Sequence, residues 1–371
     1  MKQPIGWDRR RFLQIVGGAS LGGAFASRFG WAPSPGTATR TPRFAYIGGE
    51  HRIHVYSIAE ARRFLEQQTI ASANPVAMAI SNGNLYVANG VSEYGNLPRG
   101  SVEAYAIDAA TGQLQLKNRA PLSLSGVLPR DLAVAPDGRS VVVALHGGGA
   151  YNLLSVHEDG RLGRVSGILK ETGSGPHAQQ AWAHPAAVTF DRVGRVLTAD
   201  LGSDKLSVLS LCHGELTVAD RWEVMAGSGP SSLVLEPNGK RLHVAHALNG
   251  SLSSFGYDAA VGRILDCRQT ISVPAAGEMA GLAMHPAGET LYSSHGDGIQ
   301  AWKIAAKGSL EPLPGVESVR ANRLHVTADG KSLLALTGAA VLRMKIDAAT
   351  RGLAAPVTVA RLSNPVSIAI W

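Results

Sequence analysis

The chain has 371 residues, of which 45% are hydrophobic and only 17% charged, so it can build a large core and is not a disordered chain. The formal net charge of +7 falls to +4 without residues 1–26, and no basic block with interleaved aromatic residues remains, which excludes a nucleic-acid-binding surface. Two cysteines are too few for a zinc finger or a disulfide scaffold, and the 43 glycines and 19 prolines favour many short strands.

Residues 1–26 have the features of an export signal. Residues 9–13 read Arg-Arg-Arg-Phe-Leu, and a weakly hydrophobic, glycine-rich stretch, residues 15–26, ends on Ala-Phe-Ala. A basic segment, a short apolar segment and a small-residue cleavage site make a secretory signal peptide. The arginine pair resembles a twin-arginine (Tat) signal, although Asp8 stands where that pattern has Ser or Thr. The alternative is an N-terminal anchor helix, but about 12 apolar residues are too few to span a bilayer.

Residues 27–42 are rich in Pro, Ser, Thr and Gly and are predicted to form a flexible leader. No later stretch reaches 18 apolar residues, so we expect no membrane span in the mature chain. Together these features predict a periplasmic or secreted protein that the Tat machinery exports.

One supersecondary unit recurs along residues 43–371. The clearest copy, residues 129–145, is an apolar strand, an Asp-Gly turn and a second apolar strand, and related copies start near residues 75, 185, 230, 279, 321 and 365. Alternating third strands follow at Ser101–Ile107 and Lys205–Leu211. Asx-Gly turns between apolar runs are hairpin signals, and a spacing of 42 to 56 residues with four short strands per unit predicts propeller blades.

The two ends of the repeat region each hold part of one blade. The last copy has only its first strand, Val366–Ile370, whereas the region begins with a second strand, Phe44–Gly48, and a third, Arg52–Ser57. Pairing these ends completes one blade. We therefore predict an all-β fold, a seven-bladed β-propeller closed by its N- and C-terminal strands.

Four segments of the repeats carry a resemblance to a known family. They are residues 100–112, Gly173-Ser-Gly-Pro176, His184-Pro185 and Ala199-Asp-Leu-Gly-Ser-Asp204. They resemble the lactonase propeller family, which includes propeller-type 6-phosphogluconolactonases and carboxymuconate-cyclising enzymes. The resemblance covers about residues 43–371 and implies the propeller fold and a small-molecule, lactone-like ligand.

The repeat also predicts which residues share one mouth of the central channel. In each blade the start of the first strand and the end of the second open at the same mouth, and the Asx-Gly turns lie at the opposite one. Polar residues occupy these positions beside strands that are almost wholly apolar: Asn89, Arg130, Asp131, His146, His184, Asp200, His246, His295 and Arg323. We predict a binding site at this mouth; the alternative is that these side chains are polar because loops meet water.

Hydrolysis of a lactone needs a base that activates water and a donor for the oxyanion that forms on the carbonyl oxygen. We predict His184 as the base, because imidazole titrates near neutrality, and Arg130 as the oxyanion stabiliser, with Arg323 as the alternative. The resemblance supports His184, which matches the first histidine of the family's Pro-His-x-His motif. The predicted substrate contacts are Asn89, Asp131, His146, Asp200, His246, His295 and Arg323.

The chain departs from the family at several of its usual charged positions. Ala186 replaces the second histidine of that motif, Ser231-Ser232 stand where the family has Arg-His, His246-Ala247 where it has Asn-Glu, and Ser294-His295-Gly296 where it has Asn-Arg-Gly. These losses indicate a changed substrate or a lost activity, and a substrate other than 6-phosphogluconolactone.

Two functional hypotheses follow. The first is an exported hydrolase of a lactone or similar cyclic ester, or a related cycloisomerase-type enzyme. The second is a catalytically degenerate propeller that binds a ligand or a protein at the same mouth. A propeller scaffold hosts many functions, so the fold does not choose between them.

Other chemistries are less favoured by the sequence. His146, Asp200, His246 and His295 could bind a metal, but no HxH or HExxH spacing occurs, so we expect neither metal nor cofactor. No GxSxG elbow supports a serine nucleophile, and the short glycine runs lack the lysine of a phosphate loop. Cys212 and Cys267 are expected to be buried free thiols, with a disulfide as the alternative, and the protein is expected to be a monomer.

Overall fold

The computed structural model describes residues 43–59, 63–273, 279–296, 298–305 and 308–371. In this part of the chain, 28 strands form seven antiparallel sheets of four strands each. The predicted seven-bladed β-propeller is thereby confirmed. The predicted signal peptide and leader, residues 1–42, lie outside the described residues.

The strands follow one another in chain order, blade by blade. The first three are β1 (Phe44–Gly49), β2 (Arg52–Ile58) and β3 (Phe64–Ala71). Blade 1 is β4 (Pro75–Ser81), β5 (Asn84–Asn89), β6 (Ser101–Ile107) and β7 (Leu114–Pro121). Blade 2 is β8 (Pro129–Val134), β9 (Ser140–Leu145), β10 (Ala150–Val156) and β11 (Leu162–Lys170). Blade 3 is β12 (Pro185–Phe190), β13 (Val196–Asp200), β14 (Lys205–Cys212) and β15 (Glu215–Glu223).

The remaining blades repeat the pattern. Blade 4 is β16 (Pro230–Leu235), β17 (Arg241–His246), β18 (Ser251–Asp258) and β19 (Arg263–Ser272). Blade 5 is β20 (Gly281–Met284), β21 (Thr290–His295), β22 (Gly298–Ile304) and β23 (Leu310–Glu317). Blade 6 is β24 (Arg323–Val326), β25 (Ser332–Leu336), β26 (Ala340–Lys345) and β27 (Val357–Arg361). Blade 7 joins the last strand, β28 (Pro365–Ile370), to β1, β2 and β3.

Blade 7 closes the ring as the sequence predicts. Its inner strand β28 pairs antiparallel with β1, with Ala45 opposite Ile370. The Trp371 carbonyl accepts hydrogen bonds from Arg43 N at 2.8 Å and Phe44 N at 3.0 Å, and the Phe44 and Trp371 rings stack with centroids 6.0 Å apart. The two ends of the propeller are therefore held together by strand pairing.

The turns between the first two strands of each blade have a local chemical cause. Gly138 has a φ of 72°, a left-handed conformation that favours glycine, and Asp137 Oδ1 accepts a hydrogen bond from Arg139 N at 2.9 Å. Asn238 makes the same bond to Lys240 N at 2.8 Å. These Asx-Gly turns fix one mouth of the propeller, and the start of each inner strand lies at the other, which we call the upper mouth.

The core lies between neighbouring blades, where the faces of the sheets pack together. One cluster combines Val102 and Leu122 of blade 1 with Leu132 and Val143 of blade 2, all 5% exposed or less. Because both faces of most blades are covered, the inner strands read as apolar runs.

The two cysteines depart from expectation. Cys212 ends β14 and Cys267 lies on β19, the outermost strand of blade 4, and both are free and exposed. The expected burial is wrong because these side chains lie on the solvent side of the outer strands. No helix among the described residues is both long and apolar enough to cross a bilayer.

Candidate functional site

The tautomer of His184 is set by a main-chain carbonyl of the preceding blade. His184 is half-buried at the start of blade 3, and its Nδ1 lies 2.9 Å from the main-chain carbonyl oxygen of His146. A carbonyl oxygen can only accept, so Nδ1 carries the hydrogen and donates it. In the neutral ring the lone pair is then on Nε2. This is the tautomer that a general base needs.

The buried carboxylate of Asp200 holds the main chain of His184. Asp200 Oδ1 accepts hydrogen bonds from His184 N at 2.8 Å and from Ser203 N at 2.9 Å. Asp200 is 2% exposed, and its burial raises the pKa of the carboxyl, against the lowering effect of these hydrogen bonds. Gly202 packs so closely here that an added Cβ would collide with the Trp182 carbonyl and lie 2.7 Å from His184 N.

Three aromatic rings, those of His146, His184 and Trp182, lie close together at this site. The His146 and His184 rings stack with centroids 4.5 Å apart, and the Trp182 indole lies 5.2 Å from the His184 ring, tilted by 53°. Burial, together with the charges of Arg130 and His184, lowers the pKa of His146 to about 4. His146 is therefore neutral at pH 7, so a positive charge that forms on His184 faces no second imidazolium in the stack.

Arg130 reaches the site through an irregularity of the backbone. The pairing of β8 with β9 shifts between Pro129 and Asp131, which leaves Arg130 as the bulged residue, with an exposed side chain. A β-bulge re-aims the side chain that it carries. Blades 1, 3 and 4 have the same bulge at the same place, occupied by Val76, Ala186 and Ser231. Among these four bulges, Arg130 alone is charged.

The blade 3 and blade 4 side of the upper mouth is apolar. Ala186, Leu201 and Ala247 form a cluster, 3%, 5% and 8% exposed, with Leu248 packed against it. Ala186 and Ala247 are the positions where the family motifs have histidine and glutamate. The charged residues that the family has there are thus replaced by alanines that pack in a buried apolar cluster.

Asp131 and Arg323 meet across the channel. Arg323 Nη2 lies 3.3 Å from Asp131 Oδ1, and Nη1 donates to the carbonyl of Val76 at 3.1 Å. Asp131 Oδ2 accepts a hydrogen bond from Val188 N at 3.0 Å. Burial raises the pKa of Asp131, and the Arg323 charge acts in the opposite direction. The pair links the inner strands of blades 6, 1, 2 and 3, and the charge of Arg323 is already compensated.

The other predicted contacts lie in separate places. Asn89 is 1% exposed and bonds to Ser72 and Ser101 between blades 7 and 1, and His246 Nε2 lies 3.0 Å from Ser253 Oγ within blade 4. His295 is buried at the end of β21. No group of three His, Cys, Asp or Glu side chains in the described part of the chain could hold a metal ion. The structure thus groups Arg130, His146, His184 and Asp200, and it pairs Asp131 with Arg323. Asn89, His246 and His295 lie apart from both groups.

Two residues of the site are not among those predicted from the sequence. Trp182 is 58% exposed although it is a large apolar side chain, and Gly202 provides the close contact behind it. Its position two residues before His184, the candidate base, is a signal in the sequence that could have indicated Trp182. The role of Gly202 is visible only in three dimensions, because it depends on a loop from another part of the blade.

Comparison with known proteins agrees with this architecture. Residues 36–370 match the family described as Lactonase, 7-bladed beta-propeller. The chain is 26% identical over 230 residues to a 6-phosphogluconolactonase of Bacillus subtilis, a match that covers 61% of this chain and 64% of that relative. The chain therefore spans just under two thirds of the length of this relative.

Solved structures show the same fold. A periplasmic gluconolactonase of Pseudomonas aeruginosa superposes with a TM-score of 0.80 at 20% identity, covering 89% of this chain and 99% of that one. A protein from Lactobacillus plantarum superposes with a TM-score of 0.81 at 19% identity, covering 89% and 100%. At these identities the likeness establishes the fold alone. With its repeats, its closed ring and the match over residues 36–370, the chain belongs to the seven-bladed lactonase propeller family.

Proposed function

We propose that this protein is an exported lactone hydrolase that works at the upper mouth, with His184 as general base and Arg130 as the cation that stabilises the oxyanion. The observation that carries the proposal is the 2.9 Å hydrogen bond from His184 Nδ1 to the His146 carbonyl. It leaves the Nε2 lone pair for a water molecule at a half-buried position, and the charge of the exposed Arg130 acts on the His146 ring that stacks on His184.

The reaction follows from these groups. His184 Nε2 takes a proton from water as the water oxygen attacks the lactone carbonyl carbon, and negative charge develops on the carbonyl oxygen. The guanidinium of Arg130 stabilises that charge. When the ring C–O bond breaks, the leaving alkoxide receives the proton from the His184 imidazolium. The product is a hydroxy acid, and His184 returns to its neutral form.

The environment of His184 suits the proton transfer in both directions. The His146 carbonyl accepts a hydrogen bond from Nδ1–H, so Nε2 is the atom that takes up and returns the proton, while the neutral His146 ring adds no repelling charge. Asp200 holds the backbone amide of His184 in place. Asp200 therefore positions the base through the main chain.

Export is the second part of the proposal and rests on the arginine pair in residues 1–26. The fold neighbour from Pseudomonas aeruginosa described as a periplasmic gluconolactonase agrees with an exported lactonase. Changing Arg9 and Arg10 together to Lys should keep the folded protein in the cytoplasm. Cell fractionation followed by immunoblotting measures this, and processed protein outside the cytoplasm of the double variant would contradict Tat export.

The catalytic proposal is tested with purified protein and a panel of uncharged five- and six-membered lactones. His184→Ala should lower kcat by about 10²–10⁴-fold, the usual contribution of a positioned base. Arg130→Ala should lower kcat by about 10²-fold, as expected for loss of an oxyanion donor. The matched control is His157→Ala, an exposed histidine in the turn between β10 and β11 at the opposite mouth.

His325 is a poorer control than His157, because it lies two residues from Arg323 and because burial and the Arg323 charge lower its pKa to about 4.

Hydrolysis by the wild type that is indifferent to both His184→Ala and Arg130→Ala would mean that the site lies elsewhere. An absence of hydrolysis across the panel would favour the alternative, a propeller that binds its ligand without turnover.

A further inference from the structure

We infer that the upper mouth selects uncharged lactones that present a hydrocarbon face, and that Trp182 is the residue that selects them. The inference rests on the proposed function and names its substrate class. Three features support it: an exposed indole beside the base, a loop that holds the indole in place, and an apolar wall next to it.

The indole of Trp182 is exposed in a position that a ligand can cover. It is 58% exposed, and its ring centroid lies 5.2 Å from that of His184 with a tilt of 53°. Apolar surface left in water is unfavourable, and contact with an apolar ligand removes it. A lactone ring that packs on this indole lies beside His184, the residue that activates the attacking water.

The loop that carries Trp182 is fixed before any ligand arrives. Gln180 is fully buried, donates to the Leu201 carbonyl at 2.7 Å and accepts at its side-chain oxygen from His177 N at 3.1 Å. Gly202 fills the space directly against the Trp182 carbonyl. Because this backbone is already ordered, binding to the indole carries little additional cost in conformational entropy.

The buried apolar cluster beside the loop offers no hydrogen-bonding side chain of its own. Leu201, which bonds through its main chain to both Gln180 and His184, belongs to the apolar cluster with Ala186, Ala247 and Leu248. A polyhydroxylated ring placed here would lose its hydrogen bonds to water without replacement, whereas a hydrocarbon ring or chain would not.

A phosphorylated lactone is disfavoured by the same surroundings. Arg323 donates to Asp131 and to the Val76 carbonyl, so its charge is compensated within the protein. The ammonium groups of Lys170 and Lys205 are bonded to the carbonyls of Gly148 and Thr172. The charge of Arg323 is therefore not available to a phosphate group, and Ser231 and His295 stand where the family has arginine.

The test compares δ-octalactone with glucono-δ-lactone on the purified protein, with spontaneous hydrolysis subtracted. We expect kcat/KM to be at least about tenfold higher for δ-octalactone. Trp182→Ala should raise KM for δ-octalactone about tenfold while kcat changes by less than about twofold, and Trp182→Phe should retain most of the wild-type KM. Val193→Ala is the control, since Val193 is 66% exposed in the same blade at the opposite mouth.

Outcomes separate this inference from the proposed function. A preference for glucono-δ-lactone, or an unchanged KM in Trp182→Ala while His184→Ala abolishes turnover, overturns the inference and leaves the hydrolase intact. If no lactone is hydrolysed, binding of the lactam analogue of δ-octalactone is measured by calorimetry. Binding that Trp182→Ala weakens about tenfold supports the inference without the hydrolase, and no binding to the wild type overturns both.

Discussion

At the scale of single residues, environment gives three histidines three different roles. His184 keeps one nitrogen bonded to a carbonyl and the other free to accept. His146 stacks on it and stays neutral at pH 7. His246 is 2% exposed, shares a hydrogen bond with Ser253 and has its pKa lowered to about 4 by burial, against the raising effect of Asp204. The same side chain thus occurs as a half-buried ring at the site, as a neutral stacked ring and as a buried core group.

His246 predicts how stability depends on pH. Its folded pKa of about 4 lies below the ordinary value of 6.5, so between these values the unfolded chain binds more protons than the folded one. Stability is then lost as pH falls from 6.5 toward 4, by up to about 3 kcal/mol from this residue. The replacement His246→Gln removes this titration, so the free energy of unfolding should fall less steeply over that range.

Urea denaturation at pH 7, 6, 5 and 4.5 measures the effect, with His157→Gln as the control at an exposed position. Equal slopes for wild type and His246→Gln would show that His246 is not held neutral in the fold. His146 and His325 share the direction of the shift, so some acid sensitivity should persist in the variant.

At the scale of elements, single strands determine both the site and the ring. The bulge at the start of β8 exposes Arg130, and the same bulge in β12 leaves Ala186 in an apolar cluster. The same β-bulge thus carries a charged side chain in blade 2 and a packed apolar side chain in blade 3. Strand β28 has the larger structural consequence, because it supplies the inner edge of blade 7.

Deleting Val366–Trp371 should destabilise the whole protein. The deletion removes the partner of β1 and buried residues such as Ile368, 7% exposed, and Ala369, 6% exposed, and it opens unpaired strand edges. We expect a loss of several kcal/mol, about half of a typical domain's stability, or aggregation. Thermal unfolding measured by circular dichroism tests this.

The control for the deletion is Trp371→Ala, which keeps the main-chain bonds to Phe44 and removes only the stacked ring. It should lower stability by about 1 kcal/mol. A truncated protein with the melting curve of the wild type would refute the idea that closure of the ring holds the blades together.

At the scale of the whole molecule, the sequence predicts the fold more completely than the site. Blade number, ring closure and strand positions follow from repeated Asx-Gly turns and apolar runs, because these signals are local and occur several times. In contrast, the sequence does not show which way the side chain of the last residue of a second strand points. Asn89 and His246 have equivalent places in their blades to Asp200, yet each turns into a different local network.

The contacts at the upper mouth that are found only in three dimensions share one property. Gly202 and Trp182 are related by contact between two loops, and the Arg323–Asp131 pair crosses the channel between distant blades. Such pairs depend on distances that no repeat pattern contains. The sequence indicated His184 and Arg130 because each stands at a position fixed by the repeat itself.

The pairing of β28 with β1 also sets the order in which the strands can pair during folding. Six blades draw all their strands from consecutive stretches of chain, so each can assemble as soon as it leaves the ribosome and can dock on the blade before it. Strands β1 to β3 emerge first and must wait, with one edge unpaired, for residues 365–370. The contact with the greatest separation along the chain is thus the last to form. A growing polypeptide remains an open arc until β28 has been made, and only the pairing of that strand with β1 converts it into a closed circle.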